Sequence, residues 1–124
     1  MNQADKTSTV AELKALMRRF RDERDWLQFH DPKNLAEAIS IEAAELLELF
    51  LWKDRSEIGH LMSQDAAYRL AAEEELADVV MTCLSFANAA DIDVAGAIAA
   101  KVKKAAKKYP VAKSRGKATK YDRL

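Results

Sequence analysis

Apolar residues along this chain recur every three or four positions, which is the spacing of an amphipathic α-helix. The first such stretch opens with Thr9 and Glu12, which form the Thr-x-x-Glu pattern of a helix capping box. Similar spacing returns three more times before the sequence becomes strongly basic. The pattern predicts four helices, over about residues 10–30, 34–52, 65–90 and 94–108.

Short segments with helix-breaking residues separate these stretches. Asp31-Pro32 is expected to end the first helix, and Asn34 to cap the second. Residues 53–64 contain a glycine and are expected to form a connection, with one short turn of helix at most. Pro110 ends the last stretch, so the residues after it are expected to form a tail.

Composition places the chain in the all-α class. Of its 124 residues 49% are hydrophobic, and 23 are alanine, the best helix former. Three glycines and two prolines allow few turns, so the elements must be long. We expect an all-α fold with a four-helix bundle-like core: a disordered N-terminus at residues 1–9, one helical domain over 10–110 and a basic tail over 111–124. The lone Cys83 is interpreted as a small buried hydrophobe.

The formal net charge of zero conceals a division along the chain. Residues 1–100 carry 10 basic and 19 acidic side chains, whereas residues 101–124 carry 10 basic side chains and one acidic one. Either the tail is an arm for a polyanion, or an acidic body binds cations while a basic end binds an anion. Because no aromatic-interleaved basic stripe and no long apolar run occurs, we expect neither nucleic acid nor membrane as a partner, and a cytoplasmic location.

Four acidic residues lie on or beside the apolar faces of two predicted helices. Glu42 lies at the centre of one apolar face with Glu45 one step round, and Glu75 and Asp78 repeat this arrangement on the next long helix. A carboxylate among apolar side chains is costly, and four together repel one another. A cation relieves both penalties, and a donor set made only of oxygen suits Mg²⁺ or Mn²⁺.

Buried salt bridges are the alternative explanation of these acids. For one inward glutamate we would favour a pair with Lys or Arg, but two matching i, i+3 pairs favour a metal cluster. A di-iron centre needs two Glu-x-x-His pairs on long helices. The chain has one, Glu57 with His60, in the predicted connection, which argues against di-iron.

Two tryptophans and one lysine are candidates for contact with a ligand. Trp26 and Trp52 each lie near a helix end beside charged residues, where a planar base could stack on them, although packing of a helix end explains either one alone. Lys101 lies at the edge of the last apolar face and could meet a phosphate. The second and third helices are apolar on further faces, which predicts a homo-oligomer, a dimer or tetramer.

Three segments make the sequence resemble a known family. They are ERDWLQFHDPKNLAEAISIEAAELLELFLWK, EEELADVV and KKYPVAKSRGKATKY, and the resemblance extends over about residues 10–123. They resemble the MazG-like all-α nucleotide pyrophosphohydrolases, specifically the dCTP pyrophosphatase branch. The paired Glu-x-x-Glu and Glu-x-x-Asp are typical of the whole family, and the first and last segments contain motifs more specific to this branch.

The resemblance implies roles for particular residues. The family's Mg²⁺-binding and catalytic acids correspond to Glu42, Glu45, Glu75 and Asp78. Its substrate-binding positions correspond to Trp26, Leu27, Gln28, Phe29, His30, Trp52, Thr82, Lys101 and Tyr109. The chain departs from the family pattern at three substrate contacts: Met17 replaces a histidine of the vertebrate members, Thr82 a tyrosine and Ala105 an asparagine.

Two functions follow from the residues and the resemblance together. The first is a Mg²⁺-dependent pyrophosphohydrolase of all-α type, with Mn²⁺ as a substitute ion, that converts a (deoxy)nucleoside triphosphate to the monophosphate and pyrophosphate. Its first-choice substrate is dCTP or a modified dCTP, and its role would be to remove such nucleotides from the cellular nucleotide pool. The second is a non-catalytic helical oligomeric module whose basic tail is a docking arm.

Overall fold

The computed structural model describes residues 2–124, and over these residues it is helical without a β-strand, which confirms the all-α class. The elements are α1 (Val10–Asp22), α2 (Pro32–Glu48), α3 (Arg55–Gln64), α4 (Ala66–Ala90), α5 (Val94–Lys108) and α6 (Val111–Ser114), with 3₁₀ turns at Leu27–Phe29 and Tyr121–Arg123. Met1, in the segment predicted to be disordered, lies outside the described residues, and the disorder of residues 1–9 stays a prediction.

The first helix begins where its capping box predicts but ends earlier. The Thr9 side chain accepts a hydrogen bond from the Glu12 amide, and the Glu12 side chain accepts one from the Thr9 amide. The predicted end near residue 30 is wrong, because Asp25 adopts φ 52°. The Trp26 amide then donates to the Arg21 carbonyl, the bond that closes a helix in the Schellman motif.

The second helix begins two residues before the predicted start. Asp31 is its N-cap, with its carboxylate accepting from the Asn34 amide, so the prediction of Asn34 as the cap is wrong. Pro32 occupies the first turn, where the missing amide proton costs nothing. Asp31-Pro32 therefore starts one helix rather than ending the one before it.

The connection predicted over residues 53–64 is instead a helix of ten residues, α3. Asp54 caps it through the Glu57 amide, and Gly59 lies inside it. A single glycine costs a helix about 1 kcal/mol, which a side-chain cap offsets. The predicted long helix over 65–90 and the predicted helix over 94–108 agree with the bounds of α4 and α5.

The structure divides into two compact units, Met1–Asp91 and Ile92–Leu124. In the first, α4 is the central element and packs against α1, α2 and α3. Its contact with α1 includes a polar clamp, in which Arg18 donates to the Asn88 side chain over 2.7 Å and Asn88 donates to the Lys14 carbonyl over 2.9 Å. Leu35, Ala72, Leu84 and Ala87 are its buried apolar residues.

The second unit contains α5 and the chain that follows it. Tyr109 and Tyr121 meet edge to face at 6.0 Å, and the Lys108 ammonium lies 4.6 Å from the Tyr121 ring centre. On the apolar face of α5, Ile98 is 56% and Val102 60% exposed. The domain boundary near residue 110 stays a prediction.

Two further features concern the exposure of Cys83 and the hydrophobicity of the helices. Cys83 is exposed on α4, which corrects its interpretation as a buried hydrophobe. Among the described residues no single helix is long and apolar enough to span a membrane, and α4 with α5 meets such a criterion only as a bent pair judged by length and composition.

Candidate active site

Three of the four predicted acidic side chains meet between α2 and α4. Glu42 from α2 and Glu75 and Asp78 from α4 each bring one carboxylate oxygen to within 4.8 Å of the others. We call these three residues the carboxylate cluster. Each is half-buried, because α2 and α4 pack along the apolar faces on which the acids lie. This spacing suits a shared cation better than three independent surface charges.

The surroundings of the carboxylate cluster disfavour the ionised form of its carboxyl groups. Burial, followed by the charges of Glu45, Asp78 and Glu75 and a side-chain hydrogen bond with Glu45, raises the pKa of Glu42 above its usual value. Burial, and then the charges of Glu45 and Asp78, also raises the pKa of Glu75. Both directions follow when carboxyl groups are desolvated together without a positive neighbour.

The salt-bridge explanation of these acids does not fit the structure. Within residues 2–91 the ion pairs of Lys and Arg go to other acids, such as Glu37 and Glu73. One oxygen of Glu42 and one of Glu75 are enclosed and have no hydrogen-bond partner among the described residues. Buried charged oxygens without a partner are rare unless an ion or water completes them. The cluster therefore has the chemistry of a cation site.

Glu45 lies beside the cluster rather than in it. Its side chain is exposed and does not join the group of oxygens within 4.8 Å. Its charge nevertheless raises the pKa of both Glu42 and Glu75, so it lies close to them. The structure thus brings the four predicted acids together, with three converging and one at the margin.

A pocket of about 210 Å³ opens beside the cluster. Its residues come from α1, the turn after α1, α2 and α4: Met17, Phe20, Trp26, His30, Leu35, Ala38, Glu42, Asp78, Met81, Thr82 and Ser85. Two carboxylates of the cluster belong to the wall, while most other lining groups are aromatic or aliphatic. An apolar cleft with a few polar groups is the usual form of a small-molecule site.

Trp26 and His30 form the side of this pocket that the turn after α1 supplies. Trp26 meets Phe20 edge to face at 5.8 Å, and the Arg24 guanidinium lies 3.7 Å from the centre of the Phe20 ring. Burial, and secondarily the charge of Arg21, lowers the pKa of His30. This shift favours the neutral imidazole, which has one ring nitrogen to donate and one to accept.

Other predicted substrate residues lie elsewhere. Leu27, Gln28 and Phe29 form the exposed 3₁₀ turn and do not line the pocket. Trp52 is also outside it, 93% exposed and at φ 61°, a backbone conformation costly for a bulky residue. In the second unit, Lys101 and Tyr109 line a separate cavity of about 230 Å³ with Lys104, Lys108 and Tyr121.

Thr82, a predicted substrate residue, does line the pocket, but its hydroxyl bonds the Asp78 carbonyl over 2.7 Å and the Val79 carbonyl over 3.0 Å. Ser85, one turn further along α4 on the same side, also lines the pocket and was not among the predicted site residues. Its spacing of seven residues from Asp78 was a usable signal, since i and i+7 share a helix face.

The chain is similar to proteins of known class. A model of the MazG-like family matches residues 38–124. The dCTP pyrophosphatase 1 of Rattus norvegicus is 40% identical over 116 residues, covering 94% of this chain and 68% of the relative. That of Homo sapiens is 35% identical with the same coverage. A crystal structure of a pyrophosphatase from Archaeoglobus fulgidus is 38% identical, with a TM-score of 0.76 over 89% of this chain and 98% of that one.

Proposed function

Because this chain belongs to the MazG-like family and is a nucleotide pyrophosphatase, we propose that it hydrolyses dCTP or a modified dCTP to the monophosphate and pyrophosphate, using Mg²⁺. The observation that carries the proposal is the carboxylate cluster beside an apolar pocket. The relatives favour this function over the non-catalytic interaction module that the sequence left open.

A divalent cation fits the donor set of the cluster. All donors are carboxylate oxygens, two of which are buried without a partner, and Lys or Arg does not compete for them within residues 2–91. Glu42, Glu75 and Asp78 would hold the ion, and Glu45 is the adjacent fourth acid. When bound, such an ion neutralises charge on a triphosphate and lowers the pKa of a water molecule at the site. Hard oxygen donors support Mg²⁺, with Mn²⁺ as a substitute.

The pocket supplies the binding of the nucleoside. Trp26 gives an aromatic surface for a base, a contact worth about 1–3 kcal/mol when a base stacks on it. The neutral His30 offers a hydrogen bond without adding charge. Trp52 as a second stacking residue, Lys101 as a phosphate contact and Tyr109 as a further substrate contact belong to the proposal through the family resemblance of their segments.

The substrate and the reaction are tested together by a panel of nucleotides. The protein with Mg²⁺ is incubated with each deoxynucleoside triphosphate, with 5-substituted dCTP and with CTP, and the phosphate products are separated. We expect pyrophosphate and a monophosphate, with the highest kcat/KM for a cytidine deoxynucleotide. Release of orthophosphate alone, or no product from folded protein, would contradict the proposed reaction.

A homo-oligomer is also part of the proposal. The α5 face with Ile98 and Val102, and the outer positions Ile41 on α2 and Leu76 on α4, are apolar and more than half exposed. Exposed apolar surface of this kind marks a contact with protein. The proposed partner is a second copy of this chain. Residues 1–91 are acidic and residues 92–124 are basic, so two copies are complementary in charge.

A further inference from the structure

Ser85 is the one polar residue among the buried positions of residues 2–124, with 6% of its surface exposed. It lies on α4 and lines the pocket beside the carboxylate cluster. Its hydroxyl has no hydrogen-bond partner among the described residues, yet its Oγ is not sealed off as the oxygens of Glu42 and Glu75 are. The hydroxyl is therefore reached from the pocket.

A free hydroxyl at this position is unusual for a helix. Serine and threonine within helices commonly bond the carbonyl four residues earlier, which is the bond that Thr82 makes to Asp78. Ser85 does not make the corresponding bond to Met81. A hydroxyl that opens into the pocket and bonds no group of the protein is free to pair with a polar group of a ligand.

Ser85 lies further along the face of α4 that carries Asp78. Ser85 follows Asp78 by seven residues, which places it on the same face of α4 about 10 Å further along the axis. A ligand whose phosphates lie at Asp78 and Glu42 extends in this direction, because both carboxylates and Ser85 line one pocket.

The other walls leave few groups that could recognise a base edge. Met17, Met81 and Leu35 are apolar, and the Thr82 hydroxyl is engaged with backbone carbonyls. Ser85 can both donate and accept a hydrogen bond, so it can pair with either kind of polar atom on a heterocycle.

We propose that Ser85 is a specificity-determining residue whose hydroxyl hydrogen-bonds the polar edge of the nucleobase. This inference rests on the proposed function, in which a nucleotide occupies the pocket with its phosphates at the cluster. The base edge restores the partner that the hydroxyl lacks in the free protein. Loss of the hydroxyl is expected to weaken binding of the cognate base more than that of others.

Ser85→Ala tests this role against wild type, with Ser63→Ala as the matched control. Ser63 is an exposed serine on α3 whose hydroxyl donates to the His60 carbonyl. For Ser85→Ala we expect KM for the preferred nucleotide to rise about tenfold, with kcat within about twofold, since one hydrogen bond of ordinary strength is lost. The discrimination between cytidine and the other deoxynucleotides should shrink, and Ser63→Ala should behave as wild type.

Two further measurements separate recognition from a structural role. The Tm of the nucleotide-free Ser85→Ala protein should stay close to that of wild type, because the hydroxyl makes no hydrogen bond to another group of the protein. The Kd of dCMP, followed by tryptophan fluorescence, should rise about tenfold in parallel with KM.

The inference is overturned if KM and the Kd of dCMP are unchanged in Ser85→Ala, or if Tm falls in step with activity. It is also overturned if wild type fails to bind dCMP. Wild type that binds dCMP but releases no pyrophosphate from any triphosphate contradicts the proposed function instead, and the dCMP comparison then decides the role of Ser85 separately.

Discussion

The carboxyl groups of Glu42 and Glu75 occupy a position that disfavours their ionised form. Burial and neighbouring acids raise the pKa of both, and each has one enclosed oxygen without a partner. Three acids held this closely are a cost to the cation-free protein. Such costs cluster at functional sites, and the proposed divalent cation would relieve this one.

Glu42→Gln is expected to stabilise the cation-free protein at pH 7–8 and to lower turnover by about hundredfold or more. A carboxyl whose pKa is raised by folding contributes stability while it is protonated, and that contribution is lost as pH rises from about 4.5 through the folded pKa. The Tm advantage of the variant should therefore shrink as pH falls towards 4.5. Thermal melts in EDTA across this range measure it, and a variant less stable than wild type at pH 8 would contradict it.

Residue patterns alone predicted the acids but not the whole pocket. Glu42, Glu45, Glu75 and Asp78 stand out because charge within an apolar face is visible in a sequence. Ser85 belongs to no motif, and its seven-residue spacing from Asp78 shows only that the two share a helix face, so its role could not be predicted without the structure of the pocket.

At the scale of elements, the helix ends decide where the site residues lie. Asp25, at φ 52°, ends α1 and begins the turn that carries Trp26 to the pocket. Trp52, at φ 61°, follows the end of α2, where the Tyr68 hydroxyl donates to the Leu49 carbonyl over 2.5 Å. Asp and Trp at positive φ replace the glycine that usually marks such ends, so the sequence contained no clear stop signal.

For α3 the sequence predicted a connection where the structure has a helix. A glycine suggested a connection, yet Asp54 caps a helix that continues through Gly59. The helix packs against α4, and this tertiary contact overrides a weak local preference. By contrast α5 agreed with prediction because Asp93 caps it, through a 3.3 Å bond from the Gly96 amide, and its alanines favour one conformation.

Gly59→Ala is expected to stabilise the protein by about 0.5–1 kcal/mol, because alanine loses less conformational entropy inside a helix. An added Cβ at this position meets no atom within 4 Å, so no clash offsets the gain. We expect Tm to rise by about 2–5 °C with unchanged kcat/KM.

Gly116→Ala is the matched control for this change. Its site is equally open, but the φ of +73° strains any residue with a Cβ, so Tm should fall. Equal shifts in the two variants would contradict the conformational explanation.

At the scale of the whole molecule, the proposed assembly rests on charge and on exposed apolar surface. Residues 1–91 carry 18 acidic and 10 basic side chains, and residues 92–124 carry 2 acidic and 10 basic ones. The uneven charge and the additional apolar faces are visible in the sequence. What packs on the apolar face of α5 could not be predicted, because a periodic pattern does not say whether a face is buried by its own chain or by another one.

The oligomer is tested by Ile98→Glu on α5, which places a charge on the exposed apolar face. Light scattering should give wild type a mass of two or four times 13.9 kDa, and the variant a mass near 13.9 kDa. Ile98→Leu, which keeps this face apolar, is the matched control and should retain the wild-type mass. A monomeric wild type would contradict the proposed assembly.

The most direct test of the central claim is Mg²⁺-dependent release of pyrophosphate from dCTP by wild type, Glu75→Gln and Glu74→Gln. Glu75 belongs to the carboxylate cluster, whereas Glu74 is its exposed neighbour on α4. We predict saturable activation by Mg²⁺ for wild type and Glu74→Gln, and a loss of about hundredfold or more for the folded Glu75→Gln protein. Full activity in EDTA, or equal rates for the two variants, would contradict the assignment of the cluster as the metal-binding active site.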